Sequence, residues 1–247
     1  MAIYYKTQGI IFKKKDISEA DRVFSVFTYE FGRLEIVARA IRKITSKLRS
    51  GIEIFSLSEI EFIQGKNRKT LTDTIAIEKF SNIIQNPNKL KISYQIGEVL
   101  DSFIRGQEKD EDIFILLNET LNKLNNNKLQ PPIIQLIYYY FLWNFLSTIG
   151  YHPEIKICVI CRLKLNPDNL YFSNQDGGVI CQNCLYSNIE VKKINSDIVK
   201  ILRLILRKDW KILSKLKIDT FSENLFYEIS DNYYNHILSS HSFKNII

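Results

Sequence analysis

An α+β protein, with an N-terminal five-stranded OB-like β-barrel followed by an α-helical domain bearing an inserted four-cysteine module, is the fold that the 247-residue sequence predicts. Three features point to it. Up to residue 80, apolar and polar residues alternate with the period of two that half-buried strands require. From residue 82 the apolar residues recur every three or four positions, the period of a helix. All four cysteines fall within residues 158–184, as two CxxC pairs inside the helical half. The expected domains are 1–80 and 81–247, with the cysteine module at about 152–190.

The strands follow in order. "TQGIIFKKK" leads to "ADRVFSVFTYE", a tight turn at Phe31-Gly32, and "GRLEIVARAI", in which Leu34 and Ile36 face inward and Glu35 and Arg39 face solvent. A basic loop separates these from "GIEIFSLSEIEFI" and "TLTDTIAIEKF". Five short strands without a helix-length periodic run match an OB barrel, although an SH3-like barrel gives nearly the same pattern.

Helices then start near Asn88 and Asp110, the latter with acids in its first turn, where the helix dipole favours them. Pro131-Pro132 opens a long apolar helix over 133–149 that contains Gln135 and Asn144 and is too short for a membrane span of about 20 residues. It reads as a buried central helix, and no membrane association is expected. Ser196-Asp197 is placed as the cap of "DIVKILRLILRK", and "SENLFYEISDNYYNHIL" is the last amphipathic helix.

Cys158/Cys161 and Cys181/Cys184 are separated by nineteen residues, within the spacing of paired zinc knuckles. Four thiolates close a tetrahedral zinc and leave no position for water, so the expected four-cysteine zinc module is structural, with one ion per chain. Between the pairs, Tyr171-Phe172 reads as a short strand and Asp176-Gly177-Gly178 as a turn. Two disulfides are the alternative; with no signal peptide ahead of the chain, the expected location is cytoplasmic, where thiols stay reduced. A sharper rival takes His152-Pro153-Glu154 with the second cysteine pair as a zinc deaminase site. It lacks the proline before that pair, where Ile180 stands, and leaves Cys158 and Cys161 without a role.

Composition is that of an ordinary globular protein, 45% hydrophobic and 25% charged, but the net charge of +7 favours anionic partners. Residues 1–80 hold 15 Lys+Arg against 10 Asp+Glu. Arg39, Arg42, Lys43, Lys47 and Arg49 share one acid-free loop; Lys13, Lys14 and Lys15 lead into the first inter-strand loop; Lys66, Arg68 and Lys69 lie in the last. Those loops flank the oligonucleotide face of an OB barrel, so these residues are the candidate phosphate contacts. Tyr4, Tyr5, Phe12, Phe24, Phe27 and Tyr29 include candidates for base stacking, although most are expected in the core. A second basic stripe, Lys200, Arg203, Arg207 and Lys211, lies opposite Ile198, Ile201, Leu202 and Ile205, and suits an acidic-hydrophobic peptide or a merely solvated face. There is no P-loop and no nucleophile elbow, and no catalytic residue is assigned.

The stretch "GIIFKKKDISEADRVFSVFTYEFGRLEIVARAIRKITSKLRSGIEIFSLSEIEF" resembles the N-terminal OB domain of the bacterial recombination mediator family RecO, and "FLSTIGYHPEIKICVIC" with "YFSNQDGGVICQNC" resembles its zinc module. Two positions depart from the family pattern. Arg162 stands where a glycine usually follows the first CxxC, and Arg39-Ala40 replaces a small residue plus glycine after the third strand. The resemblance implies binding of single- and double-stranded DNA, annealing of complementary strands and partnership with RecR. It also implies docking on the acidic C-terminal tail of single-stranded DNA-binding protein (SSB) and help in loading RecA onto coated DNA near the nucleoid. The basic stripe is the candidate for that tail. An RNA-binding OB protein is the alternative of another class.

Overall fold

Strand β1 (Tyr4–Asp16) is long enough to pair on both sides in turn. Residues 4–10 run antiparallel to β4 (Ser56–Gln64), and residues 9–16 run antiparallel to β2 (Arg22–Thr28). The bend is made at Gly9, where a Cβ would stand 2.5 Å from Val26 Cγ1, and at a register shift between Ile11 and Lys13. With β3 (Gly32–Ala38) and β5 (Lys69–Lys79) the order is β1-β2-β3-β5-β4, and β4 returns to β1. The ring of pairings is completed by a parallel seam of only two residue pairs, Ile36–Lys69 and Val37–Thr70. Ile11, Phe24, Val26, Leu34, Ile36 and Phe62 are among the buried residues that fill it. The five-stranded OB-like barrel is thus as expected, and the structure, a computed structural model, describes residues 3–185 and 191–244.

One strand begins later than the sequence implies. β4 starts at Ser56, not Gly51, because Ile52, Ile54 and Phe55 are all buried and so break the period of two. Phe55 takes a positive φ of 54° and donates its N–H to Ile11 O at 2.7 Å, which turns the basic loop back into the barrel.

Two compact units divide at Met1–Tyr138 and Tyr139–Ile247, within a helix and not where the period changes at residue 80. In the first unit the barrel is joined by α1 (Ser81–Ile84), α2 (Pro87–Phe103) and α3 (Glu111–Asn125). The Asn86 side chain caps α2 by accepting from Asn88 N and Lys89 N, and Asp110 caps α3 by accepting from Ile113 N. Asp101 on α2 accepts from Arg33 Nη2 at 2.5 Å and from Lys13 Nζ, tying that helix to β3 and β1.

The division falls inside α4 (Pro131–Thr148), which is apolar nearly all round; Ile137, Phe141, Leu142, Trp143, Phe145 and Leu146 are wholly buried. No described helix is long and apolar enough to cross a membrane. Asn144, buried, donates Nδ2 to Tyr140 O at 2.8 Å and to Ile205 O at 3.1 Å, so its polarity joins α4 to α5 (Ser196–Leu206). The cap of α5 is Asn195, one residue before the expected Ser196, since its side chain accepts from both Asp197 N and Ile198 N. Trp143 Nε1 donates to Ser230 Oγ at 2.9 Å and its ring stacks on Tyr233 at 4.9 Å, both residues on α7 (Thr220–Lys244).

Between α4 and α5 the chain forms a small antiparallel sheet, β6 (Leu170–Ser173), β7 (Gly178–Cys181) and β8 (Val191–Ile194), in the order β7-β6-β8. The expected strand at Tyr171-Phe172 is β6, and the turn at Asp176–Gly178 joins it to β7 with Gly177 at φ 66°. β8 is invisible to a sequence reading, being four residues with two exposed lysines. Phe172 meets the ring of Trp143 edge-on at 6.0 Å, which anchors the sheet on α4. Residues 186–190, part of the expected module, lie outside the described residues, as do 1–2 and 245–247 at the expected domain ends.

Candidate metal centre and nucleic-acid surface

The two CxxC segments are built differently. Cys158–Arg162 is a tight knuckle: Arg162 N donates to Cys158 O and Cys158 N to Leu163 O, each at 2.9 Å. Val159 N donates to Val179 O at 2.9 Å and so locks this knuckle against β7. The second pair lies at the end of β7 and in the 3-10 turn Gln182–Cys184 that follows. All four Sγ atoms come within 4.8 Å of one another, and Cys161 Sγ lies 3.7 Å from Cys181 Sγ. A tetrahedral zinc with Zn–S bonds of about 2.3 Å has an S–S edge of about 3.8 Å. The four cysteines are free thiols, not disulfides.

The electrostatics of the cluster favour a cation. Burial pushes the Cys158 thiol up, but backbone N–H groups of Cys181, Cys161 and Ile160, with the Cys161 thiol, outweigh it and hold it down at about 6. Cys184 is pushed up to about 12, by burial and then by the thiols of Cys161, Cys181 and Cys158. Cys181 is raised too, chiefly by burial. Cys158 ionises readily, whereas Cys181 and Cys184 resist sharing its space as anions, so a cluster of thiolates calls for a divalent ion among them. Soft sulfur donors in this geometry fit zinc.

His152 and Glu154 stand apart from that centre. His152 Nδ1 hydrogen-bonds to Ser147 Oγ at 2.5 Å, and Glu154 Oε1 accepts from Lys156 N at 2.8 Å and caps the approach to the knuckle. The grouped metal-ligand candidates among the described residues are the four cysteines alone. The deaminase arrangement therefore does not form.

On the barrel, the sequence-predicted cations divide into two groups. Lys14 and the loop residues Arg42 and Arg49 line a hollow of about 370 Å³ with Arg22, above an apolar floor of Phe24, Ile41 and Ile52. Arg68 and Lys69 line a separate cleft of about 750 Å³ across the outer face of β2 and β3, together with Arg33 and Arg105. Arg39, Lys43, Lys47, Lys15 and Lys66 are exposed on the surrounding segments, whereas Lys13 is engaged by Asp101. Ala40 occupies the glycine-like step at φ 53°, donates its N–H to Asp21 Oδ1 at 2.8 Å, and starts the basic loop on its path past residues 18–21.

Arg22, Arg33 and Arg105 were not legible as site residues. Arg22 and Arg33 lie within strands among ordinary alternating charges, and Arg105 follows α2, far along the chain from the barrel loops. The aromatic residues divide as the core requires: Phe12, Phe24 and Phe27 are buried, Tyr5 stacks on Phe62 at 5.4 Å and Tyr29 meets Phe114 edge-on, while Tyr4 is exposed.

The second basic stripe is interrupted. Lys200 pairs with Asp197 at 2.8 Å, and Arg203 donates to Ile155 O at 3.2 Å, bracing the module's approach against α5. Arg207 is the C-cap of α5, Lys208 reverses the chain at φ 57°, and Lys211 lies on the short α6 (Trp210–Leu213). Ile198, Ile201, Leu202 and Ile205, opposite the stripe, are fully buried and so offer no exposed apolar surface to a peptide. Lys211 instead lines a shallow hollow of about 490 Å³ with Lys215, Lys217, Ile212 and Leu216.

Comparison with known proteins covers both parts of the chain in order. The family model "Recombination protein O N terminal" matches residues 1–80, and "Recombination protein O C terminal" matches residues 85–245. The DNA repair protein RecO of Dehalococcoides mccartyi is 34% identical over 215 residues, 87% of this chain and 83% of that protein. The DNA repair protein RecO of Thermoanaerobacter sp. is 27% identical over 213 residues, 86% of this chain and 84% of that protein. That of Caldicellulosiruptor saccharolyticus is 27% identical over 230 residues, 93% of this chain and 91% of that protein. With both family models matched in order, the chain belongs to the RecO family, a DNA repair and recombination protein that is not an enzyme.

Proposed function

We propose that the chain binds single- and double-stranded DNA through the barrel, anneals complementary strands and, with RecR, helps load RecA onto SSB-coated DNA at the nucleoid in the cytoplasm. The observation that carries the reading is the grouping of Lys14, Arg22, Arg42, Arg49, Arg33, Arg68, Lys69 and Arg105 around two cavities of one barrel. Arginines and lysines on exposed loops neutralise phosphates without reading bases. Arg39, Lys43, Lys47, Lys15 and Lys66 extend the same field outward; Lys13, held by Asp101, contributes to position more than to DNA. Annealing two polyanions needs their repulsion screened, and no nucleotide is consumed.

One zinc per chain, held by Cys158, Cys161, Cys181 and Cys184, stabilises the segment between α4 and α5. The acidic SSB tail docks on the stripe Lys200, Arg203, Arg207 and Lys211, at its Lys211 end, where Lys215 and Lys217 add charge beside Ile212. A titration of single-stranded DNA at several salt concentrations, paired with nucleotide-free strand annealing, tests the reading. Salt-independent binding, or no annealing, defeats it.

A further inference from the structure

Successive residues of β2 line different cavities. Arg22 and Phe24 belong to the hollow with Lys14, Arg42 and Arg49, while Val23 belongs to the cleft with Arg68, Lys69 and Arg105. Side chains alternate across a strand, so the two cation-lined surfaces lie on opposite faces of β2. The segment that leads into this strand, Asp16-Ile17-Ser18-Glu19-Ala20-Asp21, carries three acids. Ile17, Ser18 and Asp21 form a wall of the cleft, while Asp16 pairs with Arg22 and Arg42 of the hollow, so the segment stands between the two sets of cations.

The segment is fastened in place. Ile17 N donates to Asp21 O at 3.2 Å, Arg42 Nη1 to Ser18 O at 3.1 Å and Ala40 N to Asp21 Oδ1 at 2.8 Å. Asp16 accepts from Arg22 at 2.6 Å and lies 3.6 Å from Arg42, which spends part of those two charges on the segment itself. Lys14, Arg49, Arg68 and Arg105 form no ion pair among the described residues and keep their charge for a ligand. A phosphodiester backbone running from one cavity to the other would have to cross Asp16, Glu19 and Asp21.

We propose that one barrel holds two separate single strands of DNA, one in each cavity, with the acidic segment 16–21 as the divider between them. This rests on the DNA-binding reading above and adds how annealing is organised. Two strands held in neighbouring cavities whose linings share consecutive residues of β2 lie close together. The arginines between them lower a repulsion that physiological salt already screens over about 8 Å. The partners are thus concentrated beside one another while their bases stay free to pair. The two sites differ in character: the hollow has an apolar floor and one acid, Glu53, whereas the cleft is edged by Asn67 and Gln107 and carries Asp21 and Glu35.

The test is stoichiometry with non-complementary thymidine oligonucleotides of about eight nucleotides, short enough for one site of OB size. At low salt the parent should bind two per chain. Lys14→Ala/Arg49→Ala should bind one, and so should Arg68→Ala/Arg105→Ala, each with the affinity of the surviving site. Both variants should anneal at least about ten-fold more slowly, and the quadruple variant should bind almost nothing. All four residues are exposed, and unchanged thermal unfolding checks the fold. A parent that saturates with one oligonucleotide, weakened alike by either pair of substitutions, means a single continuous track and overturns the two-strand arrangement alone. A quadruple variant with parent affinity overturns the DNA surface itself, and this proposal with it.

Discussion

Arg162, with φ at 62°, donates its backbone N–H to Cys158 O at 2.9 Å. A non-glycine residue in the left-handed region costs roughly 1–2 kcal/mol. The knuckle keeps it because that conformation lets the chain reverse between the first cysteine pair and Leu163, whose carbonyl accepts from Cys158 N. Arg162→Gly should therefore stabilise the metal-loaded protein by about 1 kcal/mol, reduced somewhat by the greater freedom of glycine in the unfolded chain. Thermal unfolding measures it, and a fall in stability would show that the Arg162 side chain contributes more than its backbone strain costs.

The cysteine cluster should hold one zinc per chain by elemental analysis. Structural zinc adds directly to folding free energy, so Cys181→Ser or a strong chelator should loosen the segment around β6 and β7 and lower protection of their amides from exchange. Exchange in β1–β5 should stay as in the parent. Purified protein without metal and with the segment equally protected would remove zinc from the account.

Asp101 offers a pH test. Burial alone would raise its carboxyl, but hydrogen bonds and charge from Lys13 and Arg33 win and hold it below the usual carboxylate range. A depressed folded value means that the stabilisation is complete above the unfolded value near 3.9 and is lost as pH falls through the folded one. Asp101→Asn should thus cost on the order of 1 kcal/mol at pH 7, modest because the pair is partly solvated, and the gap to the parent should close in acid. The same change frees Lys13 and leaves Arg33 only its pair with Glu35, so DNA affinity should rise while stability falls. A gap that persists unchanged at pH 3 would exclude the ion pair as its source.

Replacing Arg39, Arg42 and Lys43 together with Ala should weaken binding to all DNA sequences alike. The slope of log K against log salt should flatten by about two units if all three touch phosphate, at about 0.7 for each single-strand contact. Annealing should slow in parallel, and zinc content should not change. Loss confined to particular sequences would mean that the loop reads bases.

For the SSB tail, Arg203→Glu/Arg207→Glu should weaken binding of an acidic tail peptide and leave DNA affinity nearly unchanged. Because Arg203 also holds Ile155 O, Lys215→Glu/Lys217→Glu is the cleaner companion and should weaken the peptide without altering stability. If neither pair changes peptide affinity, the stripe is only a solvated face.

What the sequence by itself determined is whatever repeats locally. Alternation placed all five barrel strands, but it started β1 at Thr7 instead of Tyr4, carried β3 to Ile41 instead of Ala38, and erred most at the start of β4, where three buried residues in four defeat a period of two. The CxxC spacing named all four residues of the cysteine cluster, since a knuckle is built from neighbours along the chain. The two departures from the family's glycine pattern, Arg162 and Ala40, keep the left-handed backbone at φ 62° and 53°, which their residue types did not announce. Only the tertiary structure decided which cations share a cavity. Arg105 joins Arg33 and Arg68 through the packing of distant segments, Lys13 is claimed by an aspartate on α2, and Arg203 by a carbonyl at Ile155. A charge in a sequence carries its sign but not its neighbours, and long-range contacts assign those neighbours when the chain folds.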